Sequence, residues 1–199
     1  MRGYYYVRQK DADGKFIDDT KLFENAQIPE YQTLTSAGAD FFCAEEVVIP
    51  SIWSWLFKAL DKEIKLRLFP TESNIVSDID EIKKIDKLFS PTLIHTGIKA
   101  NMEEDEVLEI YNRSSNPKKL GLILANSVGV IDSDYYNNTD NDGEIMFAYY
   151  NLKPWSVTIK VGDRIGQGVF KKFLRPVENC RVKDSVRTSG FGSTDNTKL

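Results

Sequence analysis

Short alternations of apolar and polar residues run along most of the chain, each closed by Gly, Asn, Asp or Pro. The runs "GYYYV", "DFFCAEEVVI", "EVLEIY", "GLILAN", "GVI", "EIMFAYYN", "SVTIKV" and "RIGQGVFKKF" are rich in aromatic and β-branched side chains, which suit a pleated, half-buried surface. Many short strands predict an all-β fold, a jelly roll or distorted β-barrel, because doubling or closing a sheet removes its unpaired edges. One stretch has a different period. Ile52, Leu56, Leu60 and Ile64, then Ile79, Ile82, Ile85 and Leu88, recur near helical spacing, so residues 52–90 are expected to form a helical insertion. Trp53 and Trp55 fall inside it and read as packing residues, against the barrel or a neighbour.

A chain of 199 residues, 41% hydrophobic and 28% charged, fits one globular domain spanning 1–199 with a sizeable core. Its formal net charge of -4 argues against a nucleic-acid partner, since backbone binding needs a basic face that releases counterions. Cys43, Cys180 and the single His95 have no metal-ligand spacing, so no protein metal site is expected, and both thiols read as free in a reducing compartment. "MRGYYYVRQKD" has no signal core and no apolar run reaches the roughly 20 residues of a membrane span, which points to the cytoplasm. "NNTDNDGE" looks like a calcium loop until the closing position, where a bidentate Glu is needed and Tyr149 stands. There is no GxxxxGK phosphate loop. The Gly- and Ser-rich residues 187–199 are expected to be a flexible arm, with Phe191 set between two glycines.

Candidate chemistry lies in five short motifs: "AGAD" (37–40), "NRSS" (112–115), "GVIDSDY" (129–135), "GDRIGQ" (162–167) and "RTSGFGST" (187–194). Each alone is weak. In this order they resemble the motifs of trimeric dUTP pyrophosphatases, the dUTPases, and the resemblance spans about residues 1–195 outside the insertion. It implies that Asp132 activates a water for attack on the α-phosphorus of dUTP, giving dUMP and pyrophosphate. A carboxylate fixed at a strand end is suited to orienting a nucleophile and accepting its proton. The resemblance further implies that Tyr135 stacks under the deoxyribose, leaving no room for a 2′-hydroxyl. Asn126, Gly129 and Met146 would read uracil in a hairpin over 129–146, where a buried polar slot rejects cytosine by leaving groups unpaired. Arg113, Ser114 and Ser115 would meet the phosphates, and Gln167 would lie near the α-phosphate and the water.

From the last motif, Arg187 would neutralise the γ-phosphate. Phe191 and Gly192 would close over uracil, with Ser193 and Thr194 as further phosphate donors. Asp40 and Arg164 are structural supports on this reading. Mg2+ would be carried by the substrate phosphates and water, and each active site would be shared among the three subunits of a homotrimer. Two departures from the family pattern stand out: Asn112 replaces a proline, and the glycine that usually follows the tyrosine almost at once is delayed to Gly143, lengthening the tip over 136–143. Two other functions stay open. A dCTP deaminase on this fold would use a glutamate on the strand after the third motif, where "IMFAYYN" has no acid beyond Glu144. A regulatory protein could instead bind a partner through residues 52–90.

Overall fold

The longest alternating run, "RIGQGVFKK", becomes a nine-residue strand, Arg164–Lys172, because its inward positions meet apolar partners on both sides of it. A computed structural model describes residues 1–54, 57, 60 and 90–178. Among these it contains β1 (Gly3–Tyr6), β2 (Ala39–Phe42), β3 (Val47–Ile49), β4 (Thr92–His95), β5 (Ile98–Asn101), β6 (Glu106–Asn112), β7 (Leu122–Leu124), β8 (Val128–Asp132), β9 (Met146–Asn151), β10 (Val157–Ile159) and β11 (Arg164–Lys172). A four-stranded sheet runs β2-β11-β6-β8, a three-stranded sheet runs β4-β9-β7, and β1-β5 and β10-β3 form two ribbons. Every pair of strands is antiparallel. This is the layered all-β jelly-roll arrangement that the alternation predicts.

Phe41 and Phe147 join the two larger sheets, with ring centroids 5.5 Å apart, and Phe147 stacks on Tyr149 at 6.4 Å. Ile49, Ile94, Ile98, Leu108, Leu122 and Ile145 fill the space around them and are fully buried. Each such side chain stabilises the fold by about 2 kcal/mol relative to exposure.

Three features differ from the sequence expectation. "TLIHTGIKAN" forms β4 and β5, although buried Thr96 and Lys99 interrupt its apolar pattern. "DFFCAEEVVI" divides into β2 and β3, because Cys43 and Ala44 turn aside to donate their N–H groups to Asp163 O and His95 O, both at 2.9 Å. Finally, β8 and β9 do not pair as a hairpin. They belong to different sheets, β8 beside β6 and β9 between β4 and β7. Of the insertion, Ile52, Trp53, Ser54, Phe57 and Leu60 are helical, and Trp53 Nε1 donates to Leu152 O at 3.0 Å, a packing role against the barrel. Residues 55, 56, 58, 59 and 61–89, Trp55 included, lie outside the described residues. No helix among the described residues is long and apolar enough to cross a membrane.

Candidate active site

Asp40 ends the first motif on β2, buried at 8% exposure. Its carboxylate accepts from Arg164 Nη1 at 3.2 Å and pairs with Arg113 Nε at 3.6 Å, while Arg113 Nη1 donates to Arg164 O at 3.3 Å. One carboxylate therefore ties Arg113 of the second motif to Arg164 of the fourth. Gln167 stands opposite both Asp40 and Tyr111 across β11, and its Nε2 donates to Asn112 O at 3.4 Å. Gly38 is needed here, since a Cβ would sit 2.5 Å from Gln167 Oε1.

Two residues that sequence reasoning passed over hold this end in shape. The register of β11 slips between Arg164 and Gly166, a bulge that takes Ile165 out of the ladder. Its carbonyl accepts from Asn116 Nδ2 at 2.7 Å and from Tyr149 Oη at 2.7 Å, so the buried acceptor is satisfied twice. Burial pushes the Tyr149 phenol upward, which keeps it a neutral donor. Asn116 opens the short helical turn Asn116–Leu120, and its anchoring fixes half-buried Ser115 and exposed Ser114 just ahead of it. The only signal in the sequence was an asparagine before a proline, in "SNPKK".

The third motif lies elsewhere. Asp132 is the last residue of β8, opposite Val107 of β6, half-buried. It borders a cavity of about 440 Å3 that Glu104, Glu106, Ser133, Asp134, Phe173 and Arg175 complete. The turn Ser133–Tyr135 follows. Tyr135 is buried, its hydroxyl donating to Glu144 O at 2.9 Å and accepting from Asn141 Nδ2 at 2.8 Å. Gly129 faces Ile110 across the ladder, and a Cβ there would lie 2.4 Å from Ile110 Cγ1 and 3.2 Å from Asn126 Nδ2. The Asn126 amide thus runs alongside the strand at Gly129. Met146 begins β9 opposite His95.

Within one chain these groups do not converge. Asp132 is level with Val107, whereas Gly166 and Gln167 are level with Asn112 and Tyr111. From Val107 to Tyr111 and to Asn112 is four and five steps, about 14 and 17 Å at roughly 3.4 Å per residue. Asp40, Arg113, Ser114, Ser115, Arg164 and Gln167 gather at one end of the four-stranded sheet, and Asp132 and Tyr135 stand at the other. Arg187, Phe191, Gly192, Ser193 and Thr194 lie outside the described residues.

The lengthened tip at 136–143 is folded down tightly. Asp142 is fully buried, and its carboxylate accepts from Arg8 Nη2 at 2.6 Å, Arg8 N at 2.9 Å and Lys99 Nζ at 2.6 Å. Lys99 Nζ also donates to Asn137 Oδ1 at 2.6 Å. The Asn138 side chain closes the turn through Tyr135 O, Asp140 N and Asn141 N. These partners hold the Asp142 carboxyl below its usual range against the opposing effect of burial. Among the described residues no group of three His, Cys, Asp or Glu side chains is placed to hold a metal ion.

The dUTPase family model matches residues 75–195. The deoxyuridine 5'-triphosphate nucleotidohydrolase of Lactococcus lactis subsp. lactis is 46% identical over 127 residues, 62% of this chain and 83% of that one. Its counterpart from Wolinella succinogenes is 32% identical over 178 residues, 87% and 90% of the two chains. The crystal structure of dUTPase from Streptococcus mutans superposes with a TM-score of 0.58 at 30% identity, covering 87% of this chain and 98% of the other. At 17% identity, with a TM-score of 0.54 over 92% and 97% of the chains, the same fold occurs in a mutant dUTPase from phage phi11 of S. aureus, described as coordinating a structural Mg(II) ion.

Proposed function

Because the chain belongs to the dUTPase family and is a dUTP diphosphatase that hydrolyses dUTP to dUMP and pyrophosphate, we propose that Asp132 is the base that activates its nucleophilic water. Asp132 takes a proton from the water, whose oxygen bonds to the α-phosphorus as the bond to the bridging oxygen breaks and pyrophosphate leaves. Fixing the carboxylate at a strand end restricts the water to one line of attack, and positioning supplies much of the rate in phosphoryl transfer. Tyr135 carries the deoxyribose. Asn126, Gly129 and the backbone at Met146 read uracil, whose N–H flanked by two carbonyls matches amide groups.

Gln167 orients the water and the α-phosphate. Arg113, Ser114 and Ser115 receive the phosphate chain, held in place by Asp40 and Arg164. Arg187, Phe191, Gly192, Ser193 and Thr194 of the 187–199 arm close over the nucleotide.

The observation that carries this assignment is the separation of the two groups by about 14 to 17 Å along β6. Side chains on opposite ends of a sheet cannot meet around one phosphate unless different copies of the chain supply them. A closed threefold ring does this, with the second and fourth motifs from one subunit, the third from the next and the arm from the last. We therefore infer a homotrimer with shared sites.

Magnesium fits as a companion of the substrate. Glu106, one of the carboxylates that border the Asp132 cavity, is engaged by Arg2 and by Glu103 N. The phosphates and water would hold the ion, which supplies charge neutralisation when bound. The source of dUMP for thymidylate, the exclusion of uracil from DNA and a cytoplasmic address complete the reading. A protein contact through residues 52–90, on the exposed Trp53, Phe57 and Leu60, is an addition to catalysis rather than a replacement.

The test is pyrophosphate release from dUTP, dCTP, dTTP and UTP by wild type and Asp132→Asn. Turnover of dUTP alone, reduced roughly 100-fold or more in the variant, is expected. Ammonia release from dCTP, or an active Asp132→Asn enzyme, would overturn the assignment.

A further inference from the structure

The residues that lead into β9 are gripped by the turn between β4 and β5. Ile145 N donates to Ile98 O at 2.8 Å, and Thr96 Oγ1 donates to Ile145 O at 2.6 Å. The Glu144 carboxylate accepts from Gly97 N at 3.1 Å and lies 3.0 Å from His95 Nδ1. Glu144 thus works at both ends. Its side chain, 4% exposed, is tied to the turn, while its carbonyl receives the Tyr135 hydroxyl. The carboxylate can only accept, so Nδ1 carries the proton.

We propose that His95 is a positioning residue for sugar recognition: through Nδ1–H it fixes Glu144, whose carbonyl sets the tilt of the Tyr135 ring. The inference rests on Tyr135 being the surface on which the deoxyribose lies. Ring orientation matters there because exclusion of a single hydroxyl is a matter of ångström-scale fit. Among the contacts made by the turn, the His95 one changes charge near neutral pH. The charged groups facing the imidazole are Glu144 and, at 3.9 Å from Nε2, Glu45, and the Phe23 ring packs on it at 5.2 Å. Both carboxylates favour the imidazolium and hold the His95 pKa above its ordinary value, against the effect of burial.

The sign follows. Below that raised pKa the charged contact is complete. As pH climbs through it, His95 loses its charge, the hold on Glu144 weakens and discrimination between dUTP and UTP falls.

The chain's single histidine gives a direct assay. The kcat/KM for dUTP is compared with that for UTP, taken as alternative substrate or competitive inhibitor, from about pH 5.5 to 9. The ratio cancels any titration of the reaction chemistry, which both nucleotides share. The imidazole resonance is followed by NMR over the same range.

His95→Ala is expected to lower the dUTP preference roughly fivefold, the scale of one ordinary hydrogen bond. The change should appear mainly as a higher KM for dUTP with a smaller change in kcat. His95→Asn, which keeps a neutral N–H donor at the Nδ1 position, should hold the ratio above that of His95→Ala, near the wild type's high-pH level, and remove its pH dependence.

A folded His95→Ala enzyme with an unchanged ratio overturns the proposal, as does an imidazole that titrates without moving the ratio. If Tyr135→Leu also leaves the ratio unchanged, the sugar role of Tyr135 falls with it. If Tyr135→Leu lowers the ratio and His95→Ala does not, only the His95 inference is lost.

Discussion

Two variants that are each inactive should regain activity when mixed. Asp132→Asn removes the proposed base and Gln167→Ala the residue proposed to orient the water. Register places these residues four steps of β6 apart, about 14 Å along one sheet, too far to serve one α-phosphate. On the proposed arrangement each site takes Asp132 from one subunit and Gln167 from another. If the two variants are unfolded together at equal concentration and refolded into random trimers, the Asp132 donor is intact in half of the sites. Its Gln167 donor is independently intact in half, so about a quarter of the sites are whole. Both variants keep the 187–199 arm, so its contribution is unaffected.

Pyrophosphate release from dUTP should therefore rise from the residual rate of either variant to about a quarter of the wild-type rate per site, with native mass spectrometry confirming mixed assemblies. If mixed trimers form and their rate remains the average of the two parents, a site built from a single chain is the correct description. The shared-site arrangement would then be abandoned.

Two further outcomes concern stability and pH. Asp142→Ala leaves Lys99 in place with 5% of its side chain exposed and no carboxylate partner there. It should cost about 3 to 5 kcal/mol in urea unfolding, and a loss under about 1 kcal/mol would mean that the cluster is not the anchor described. Glu106 is drawn down to about 2 from 4.5 by the Arg2 guanidinium. A depressed carboxylate stabilises the fold fully above 4.5, and that contribution fades as pH falls toward 2. Melting curves should show wild type above Glu106→Gln near neutral pH, with the gap gone by about pH 2. A gap that persists there would remove the Arg2 contact as its source.

The parts of this molecule that could be read from sequence are those in which neighbours in the chain share one job. The strand at "GVIDSDY" ends at Asp132 as expected, and Asp40 does meet Arg113 and Arg164. What escaped notice depends on distant partners. Lys99 spoils the apolar pattern of β5 because its charge is answered by Asp142, forty-three positions later. The Ile165 carbonyl needs Asn116 and Tyr149 only because β11 bulges there. A hairpin over 129–146 looked natural, yet β8 finds its partner in β6 and β9 in β4 and β7. Pairing across sheets leaves no mark on local alternation. The last motif was legible only as a pattern of residue types.

The buried Asp142 cluster also sets terms for engineering. The stretch 136–143 cannot be transplanted alone into a relative whose chain turns back soon after the tyrosine. It would arrive with a carboxylate in a dry interior and nothing to neutralise it. Arg8 from the first strand region and Lys99 from the fifth strand would have to travel with it, three distant positions acting as a single heritable unit.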